Sequence, residues 1–335
     1  MNSSHTVVPG DRGLIGAGTD GFPLREVSPA AEAIVRFPFR VVRRMAWALR
    51  NRLGATQRKH WKRNVLFPIR NTLLRGKPIS VGINGASVWL AARGATAADF
   101  WSGLWLERGE LAFTLSVLEP GMTFFDIGAN SGLFAVAAAK KMGCGKVYAF
   151  EPCEGTYQLL EQNLHLNGAN NVAAIRMALG DHIGEAMLQV HAPGNEGRNT
   201  IGKPLGPDWQ LVGEERVPVT TLDSFLEANA ISRVDAMRVD VEGAELPVFR
   251  GAKNLLERED APLILYTGYG PHTKGFGYHP VETMWRLGDC GYSLFVLDSA
   301  TGDVAPRRPG PEYDAVIVAA KPGHPCYREL AEGSR

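Results

Sequence analysis

The chain has few of the features that mark secreted, metal-stapled or membrane-spanning proteins. Only four cysteines occur in its 335 residues, Cys144, Cys153, Cys290 and Cys326, and no two form a C-x-x-C pair. That spacing excludes a zinc ribbon and predicts isolated thiols in a reducing compartment. No stretch reaches the roughly 18–20 consecutive apolar residues of a membrane-spanning helix. The start, MNSSHTVVPGDRG, lacks the basic and apolar regions of a secretory signal, so a cytoplasmic location is expected. The 38 glycines follow no triplet repeat, and 21% charged residues with 45% hydrophobic ones exclude a disordered chain. G-x-G-x-x-G is absent as well, which argues against a dinucleotide-binding dehydrogenase.

Acidic residues are missing from one segment. None lies between Glu32 and Asp99, where 14 of the 36 lysines and arginines fall; the rest of the chain carries 22 basic residues against 35 acidic ones. The formal charge of +1 therefore sums a basic N-terminal segment and an acidic body. Residues 1–30, rich in Gly, Ser, Thr and Pro, predict a mobile leader. Residues 31–98 predict a basic extension: a helix from Pro38 to Gly54 with Phe39, Val42, Ala46, Leu49 and Leu53 on one face, then a hairpin over 77–92. A single helix is expected over 97–117, and 326–335 reads as a tail. Between them, over 99–325, apolar strands (TFFDIG, KVYAFEP, NVAAIRMALGD, DAMRVDVEG, APLILYTGYG) alternate with helical runs. This predicts an α/β fold with a doubly wound, mostly parallel seven-stranded sheet. YSLFVLD and YDAVIVAA predict an antiparallel C-terminal edge. A polar loop is expected over 193–215, and Asp223 is expected to cap the helix after it.

Ligands of such sheets bind at the carboxyl ends of the strands. Three of those ends carry acids. In DIGANSG, Asp126 precedes Gly128 and Gly132, which suit a sharp turn onto a helix N-terminus; an acid there would repel a pyrophosphate but suit an amino group. Glu151 ends the second strand, where a carboxylate can hold a ribose diol. In VDVEGAE, Asp240 and Glu242 would share one side of a continuing strand and could take a proton or hold a cation. Glu245 reads as a first-turn helix acid.

FFDIGANSG, YAFEP, ALGD, VTTLDSF and MRVDVEGAELPVFRGAKNLL together resemble the FkbM-type methyltransferases, from about Glu107 to Gly291. The resemblance implies the Rossmann-like class I methyltransferase fold and S-adenosylmethionine as cofactor. Matched position by position, it places Asp126, Gly128, Asn130 and Gly132 at the methionine end of the cofactor. It places Glu151 on the ribose, Asp181 with the turn 178–180 by the adenine, and Asp240 and Glu242 at the methyl-transfer centre. One departure stands out: many members carry Glu-x-Asn after the fifth strand, whereas this chain reads Leu265-Tyr266-Thr267-Gly268-Tyr269. A different acceptor pocket is expected there.

The expected reaction is O-methylation of a glycan or small-molecule hydroxyl, which needs a base. Asp240 or Glu242 comes first, and His272 and His279, in GYGPHTKGFGYHP, come second. No histidine-rich ligand set accompanies them, so no metal is expected. A non-catalytic cofactor-binding homologue is the rival outside enzymes. The basic residues 36–77 suit three roles: a helix packed on the body or in a homodimer, an anionic membrane surface with peripheral location, or recruitment of RNA or protein. Trp47, Trp61 and Phe67 among the basic residues would serve RNA stacking, but no RNA-binding module is legible.

Overall fold

The computed structural model describes residues 54–83, 86–105, 107–192, 194–203, 211–268, 270–306 and 315–333. The chain divides into two units at Leu53, and every described residue belongs to the second, Gly54–Arg335. The leader and the helix expected from Pro38 lie outside the described residues.

The strands are β1 (Ile79–Ile83), β2 (Ala86–Leu90), β3 (Thr123–Ile127), β4 (Lys146–Phe150), β5 (Val172–Ile175), β6 (Ala178–Leu179) and β7 (Gly184–His191). They continue with β8 (Leu211–Thr220), β9 (Ala236–Val239), β10 (Leu263–Gly268), β11 (Ser293–Leu297), β12 (Val304–Pro306) and β13 (Ala315–Ala320). Eight of them form one sheet in the order β12-β11-β13-β10-β9-β3-β4-β5. The five from β10 to β5 run parallel, and β13, β11 and β12 make the antiparallel edge. The arrangement is the expected α/β fold with a mostly parallel sheet, with eight strands in this sheet where seven were expected. The extra strand is β12, three residues that pair with β11 in the connection between β11 and β13.

Successive residues of the central strands feed cores on opposite faces, as the period of two requires. Phe124 packs with Val147, Ala149 and Leu265 on one face, while Phe125 and Ile127 pack with Phe150, Met237 and Tyr266 on the other. A third core joins the β1–β2 hairpin to the helix Leu133–Met142 through Val88, Leu90, Leu133 and Phe134.

Several local expectations are revised. The helix expected over 97–117 is two, Gly94–Ser102 and Arg108–Val117, because Gly103 takes a left-handed φ of 79° and ends the first. NVAAIRMALGD splits into β5 in the main sheet and β6 in a separate sheet, β6-β8-β7. The loop expected to run to 215 already becomes β8 at Leu211. Thr221, not Asp223, caps the helix Leu222–Ala228, accepting from Ser224 N–H at 3.1 Å. Asp223 instead accepts from the N–H groups of Asn254 and Leu255, 2.8 and 3.0 Å away, at the start of the helix Lys253–Glu257. Among the described residues no helix is long and apolar enough to cross a membrane.

Candidate active site

Strand register assembles the site. Ile127, Phe150 and Val239 are partners across β4, β3 and β9, so the residues that follow them, Gly128, Glu151 and Asp240, leave three adjacent parallel strands side by side. The N–H groups of Gly128 and Ala129 both donate to Phe150 O (3.0 and 2.8 Å), and Asp240 N–H donates to Ile127 O (2.9 Å). These bonds clamp the three exits together. Gly128 is required by that clamp: a Cβ there would stand 2.0 Å from the Asp240 carbonyl oxygen, and its φ is +84°. At Gly132 a Cβ would stand 2.3 Å from Leu160 Cδ1. Both glycines thus serve packing of loop against loop and helix; Gly132 is not on the pocket wall.

Glu151 lies on the wall of the pocket at these strand ends and is buried. Its Oε2 accepts from Asn130 N–H and its Oε1 from Cys153 N–H, each at 3.0 Å. Burial outweighs those two bonds and pushes the carboxyl up to about 7. Each oxygen keeps lone-pair capacity that could accept from a diol. Asn130 holds a φ of +50°, with its Oδ1 accepting from Ser131 N–H at 2.6 Å.

Asp126 departs from its expected place. It is fully buried, does not line the pocket, and stands beside Arg238, its direct register partner on β9. Arg238 Nη1 approaches Asp126 Oδ1 at 3.3 Å, Nη2 meets Asp240 Oδ2 at 2.5 Å, and the guanidinium lies 4.0 Å from the Phe134 ring centroid. Glu107 and Glu110 add their charges to this guanidinium. One cation therefore serves four carboxyls. Burial raises Asp126 and Glu110 and pushes Glu107 up to about 7, each against the pull of Arg238. Glu107, Arg238 and Asp240 reach the pocket wall.

β9 ends at Val239, so Asp240 and Glu242 do not share the side of a strand. Both nevertheless line the pocket, because the chain turns sharply: Glu242 adopts φ +53° and Gly243 φ +104°. Three contacts fix that turn. Thr200 Oγ1 donates to Glu242 O (3.0 Å), and the N–H groups of Gly243 and Val241 donate to Glu245 Oε1 (3.2 and 3.3 Å). Glu245 is thus a buried loop clamp as well as a first-turn acid, and burial pushes it up to about 7. The Glu242 carboxylate meets His272 Nδ1 at 2.6 Å, with both side chains about one-fifth exposed. Burial raises Glu242 against the His272 hydrogen bond. Burial also works to lower His272, but Glu242 outweighs it and holds the imidazole above its usual value.

His279 does not join this group. Its Nδ1 accepts from Val281 N–H (3.3 Å) while Glu282 returns a bond to its backbone N–H (2.9 Å), a capping box on the helix Pro280–Asp289. Asp181 is also elsewhere: it is exposed and paired with His182 at 3.0 Å, and the wall is made by Met177, Ala178 and Leu179. Gly180 N–H donates to Thr220 O, which carries the chain into the small sheet and away from the pocket.

Residues 126–294 match the methyltransferase FkbM domain. The chain belongs to the FkbM methyltransferase family. Curated relatives of this FkbM chain include "Methyltransferase 1" of Beauveria bassiana, 31% identical over 38% of this chain and 56% of that protein. "Methyltransferase sdnD" of Sordaria araneosa is 33% identical over 38% of this chain and 58% of that protein. "Hexuronic acid methyltransferase AglP" of Haloferax volcanii is 23% identical over 49% and 64%. The match thus spans less than two thirds of each relative's length.

The FkbM site fits the cofactor that its family implies. Glu151 can accept from a ribose diol, and the apolar wall Met177–Leu179 with Leu188 suits a planar base. The excess of carboxyls over the single guanidinium suits a ligand carrying a sulfonium and an ammonium. Ser131 Oγ, buried beside Glu151 without a hydrogen-bond partner, adds an unsatisfied polar group at the same wall. Arg238, Glu107 and Thr200 were not singled out from the sequence. For Arg238 a signal existed: an arginine inside an apolar parallel strand, MRV, has both faces covered and needs a buried acid.

Proposed function

We propose that this chain is an S-adenosylmethionine-dependent O-methyltransferase acting on a hydroxyl of a glycan or small-molecule acceptor. The observation that carries the proposal is that Glu242, paired with His272 behind it, lines the same pocket as Glu151 and the glycine loop. The cofactor, when bound, supplies an activated methyl group. The chain's own residues bind, orient and move a proton. Glu151 accepts the ribose hydroxyls, and the acidic surroundings of Arg238 favour the cationic end. Glu242 takes the proton of the acceptor hydroxyl, since its carboxylate, unlike that of Asp240, is not committed to a guanidinium. His272 donates to Glu242 at 2.6 Å and so fixes the carboxylate and spreads the charge. Asp240, bonded to Arg238, positions the loop and adds to the negative field. The acceptor class is further favoured by the relative from Haloferax volcanii, whose name specifies a hexuronic acid.

The test is incubation with labelled methyl donor and separate glycan, small-molecule, RNA and protein fractions. Alkali-stable label in the glycan or small-molecule fraction is expected, lost with Glu242→Gln, while Glu151→Ala abolishes cofactor binding. Label confined to RNA or protein, or cofactor affinity unchanged in Glu151→Ala, would refute the reading.

A further inference from the structure

The helical run Ala55–Leu73 belongs to the segment without acids. It comprises the helix Ala55–Trp61, a π-helical turn Lys62–Leu66 and the helix Phe67–Leu73. The π turn has a local cause. Pro68 has no N–H to give the carbonyl of Asn64, and its ring crowds that carbonyl; Phe67 N–H reaches back to Lys62 O. One side of the run is tied to the body. Phe67 is buried against Trp101, with ring centroids 5.7 Å apart. Arg63 pairs with Asp99 and donates to Gly194 O at 2.7 Å, and Asn71 Nδ2 donates to Ala92 O at 2.7 Å.

The other side faces solvent with an aliphatic stripe. Val65, Ile69 and Leu73, each four residues apart, are 40%, 36% and 36% exposed. Residues at that spacing lie one above another on a helix. Lys62 is exposed in the same π turn as Val65, and exposed Arg75 and Lys77 follow the stripe's C-terminal end. No acidic residue occurs from 33 to 98 to offset them.

We propose that this face docks the protein on an anionic lipid surface. Val65, Ile69 and Leu73 enter the boundary between headgroups and acyl chains, and Lys62, Arg75 and Lys77 meet the lipid phosphates. The apolar element favours lipid over RNA: stacking on bases needs exposed aromatic rings, but this stripe is aliphatic and Phe67 points inward. The three aliphatic residues already stand in water, so the docked state removes apolar area that the free protein leaves exposed.

Co-sedimentation of the full chain with vesicles tests this. Binding is expected to phosphatidylglycerol–phosphatidylcholine vesicles, weakening with salt, with little binding to phosphatidylcholine alone. The variant Val65→Gln/Ile69→Gln/Leu73→Gln leaves the net charge unchanged and should lower partition about tenfold or more, while its thermal melt stays within a degree or two of wild type. Lys62→Gln/Arg75→Gln/Lys77→Gln should lower it by about fivefold per cation removed. Equal binding by the aliphatic variant, equal binding to neutral vesicles, no vesicle binding, or association with single-stranded RNA alone would each overturn the proposal.

Discussion

Arg238→Met should destabilise the fold by about 3–5 kcal/mol at pH 8. The side chain is 5% exposed and its partner Asp126 is fully buried, so Asp126 is left as a buried carboxyl without its counter-charge. Methionine keeps most of the stem's volume and its contact with Phe134, which separates the loss of charge from the creation of a cavity. The cost also has a sign in pH. Arg238 opposes the burial that raises Asp126, Glu107 and Glu110. Without it, these carboxyls rise further and must bind protons to remain buried. Near pH 5.5 Glu107, already raised to about 7, is largely protonated in the wild type, so less is lost there. Urea unfolding at pH 5.5 and 8.0 measures both numbers. In the variant background Asp126→Asn should recover part of the loss at pH 8 and little at pH 5.5. A loss below about 1 kcal/mol, or one equal at the two pH values, would refute the buried-cluster argument.

Three further outcomes follow from the site. Burial holds the Glu151 carboxyl near 7 in the folded protein, against an ordinary 4.5; the stability of its protonated form is complete below 4.5 and is lost as pH rises through 7. The difference between those two values corresponds to about 3 kcal/mol, so ligand-free unfolding free energy in Glu151→Gln should fall less between pH 5 and 8 by up to that amount. Equal slopes would contradict the burial of this carboxyl. Gly128→Ala places a Cβ against the Asp240 backbone carbonyl at 2.0 Å, and should lower stability by roughly 2 kcal/mol or more in thermal melts. Glu242→Gly relieves a left-handed residue at φ +53°, so its melting temperature should hold or rise while turnover falls by about 100-fold or more; retained turnover would remove Glu242 from the role of base.

The sheet was legible because each central strand is short, apolar and bounded by turn residues, and the β1–β2 hairpin because β-branched residues alternate around glycine. What escaped is set by contacts between distant segments. β12 is three residues ending in Pro306 and exists through pairing with Phe295–Leu297. Asp223 looked like a cap for the helix it begins; tertiary packing brings it to another helix start while Thr221 takes the local role. The site shows the same division. Glu151, Gly128, Asp240 and Glu242 could be read from strand ends, because the residue after each parallel strand falls at one edge of the sheet. Asp126 belongs to the same motif but sits one residue short of its strand's end, and side-chain alternation turns it into the layer that holds Arg238. Only the pairing of β3 with β9, at the register Asp126 to Arg238, makes that visible.

That register also gives the acids a common purpose. One buried guanidinium cannot neutralise the four carboxyls in its field, and three carboxyls in or beside the pocket, Glu107, Glu151 and Glu245, are pushed up to about 7. In a purely structural core such an arrangement would be costly, since replacement by apolar residues of like volume is often neutral or stabilising. Its persistence makes physical sense if a cation completes it. The strand ends supply the acids, Arg238 keeps Asp126 and Asp240 fixed without cancelling them, and the remaining negative charge faces the cavity through Glu107, Asp240 and Glu151. A ligand with a sulfonium and an ammonium would relieve the excess on binding, coupling the stability of these loops to cofactor occupancy.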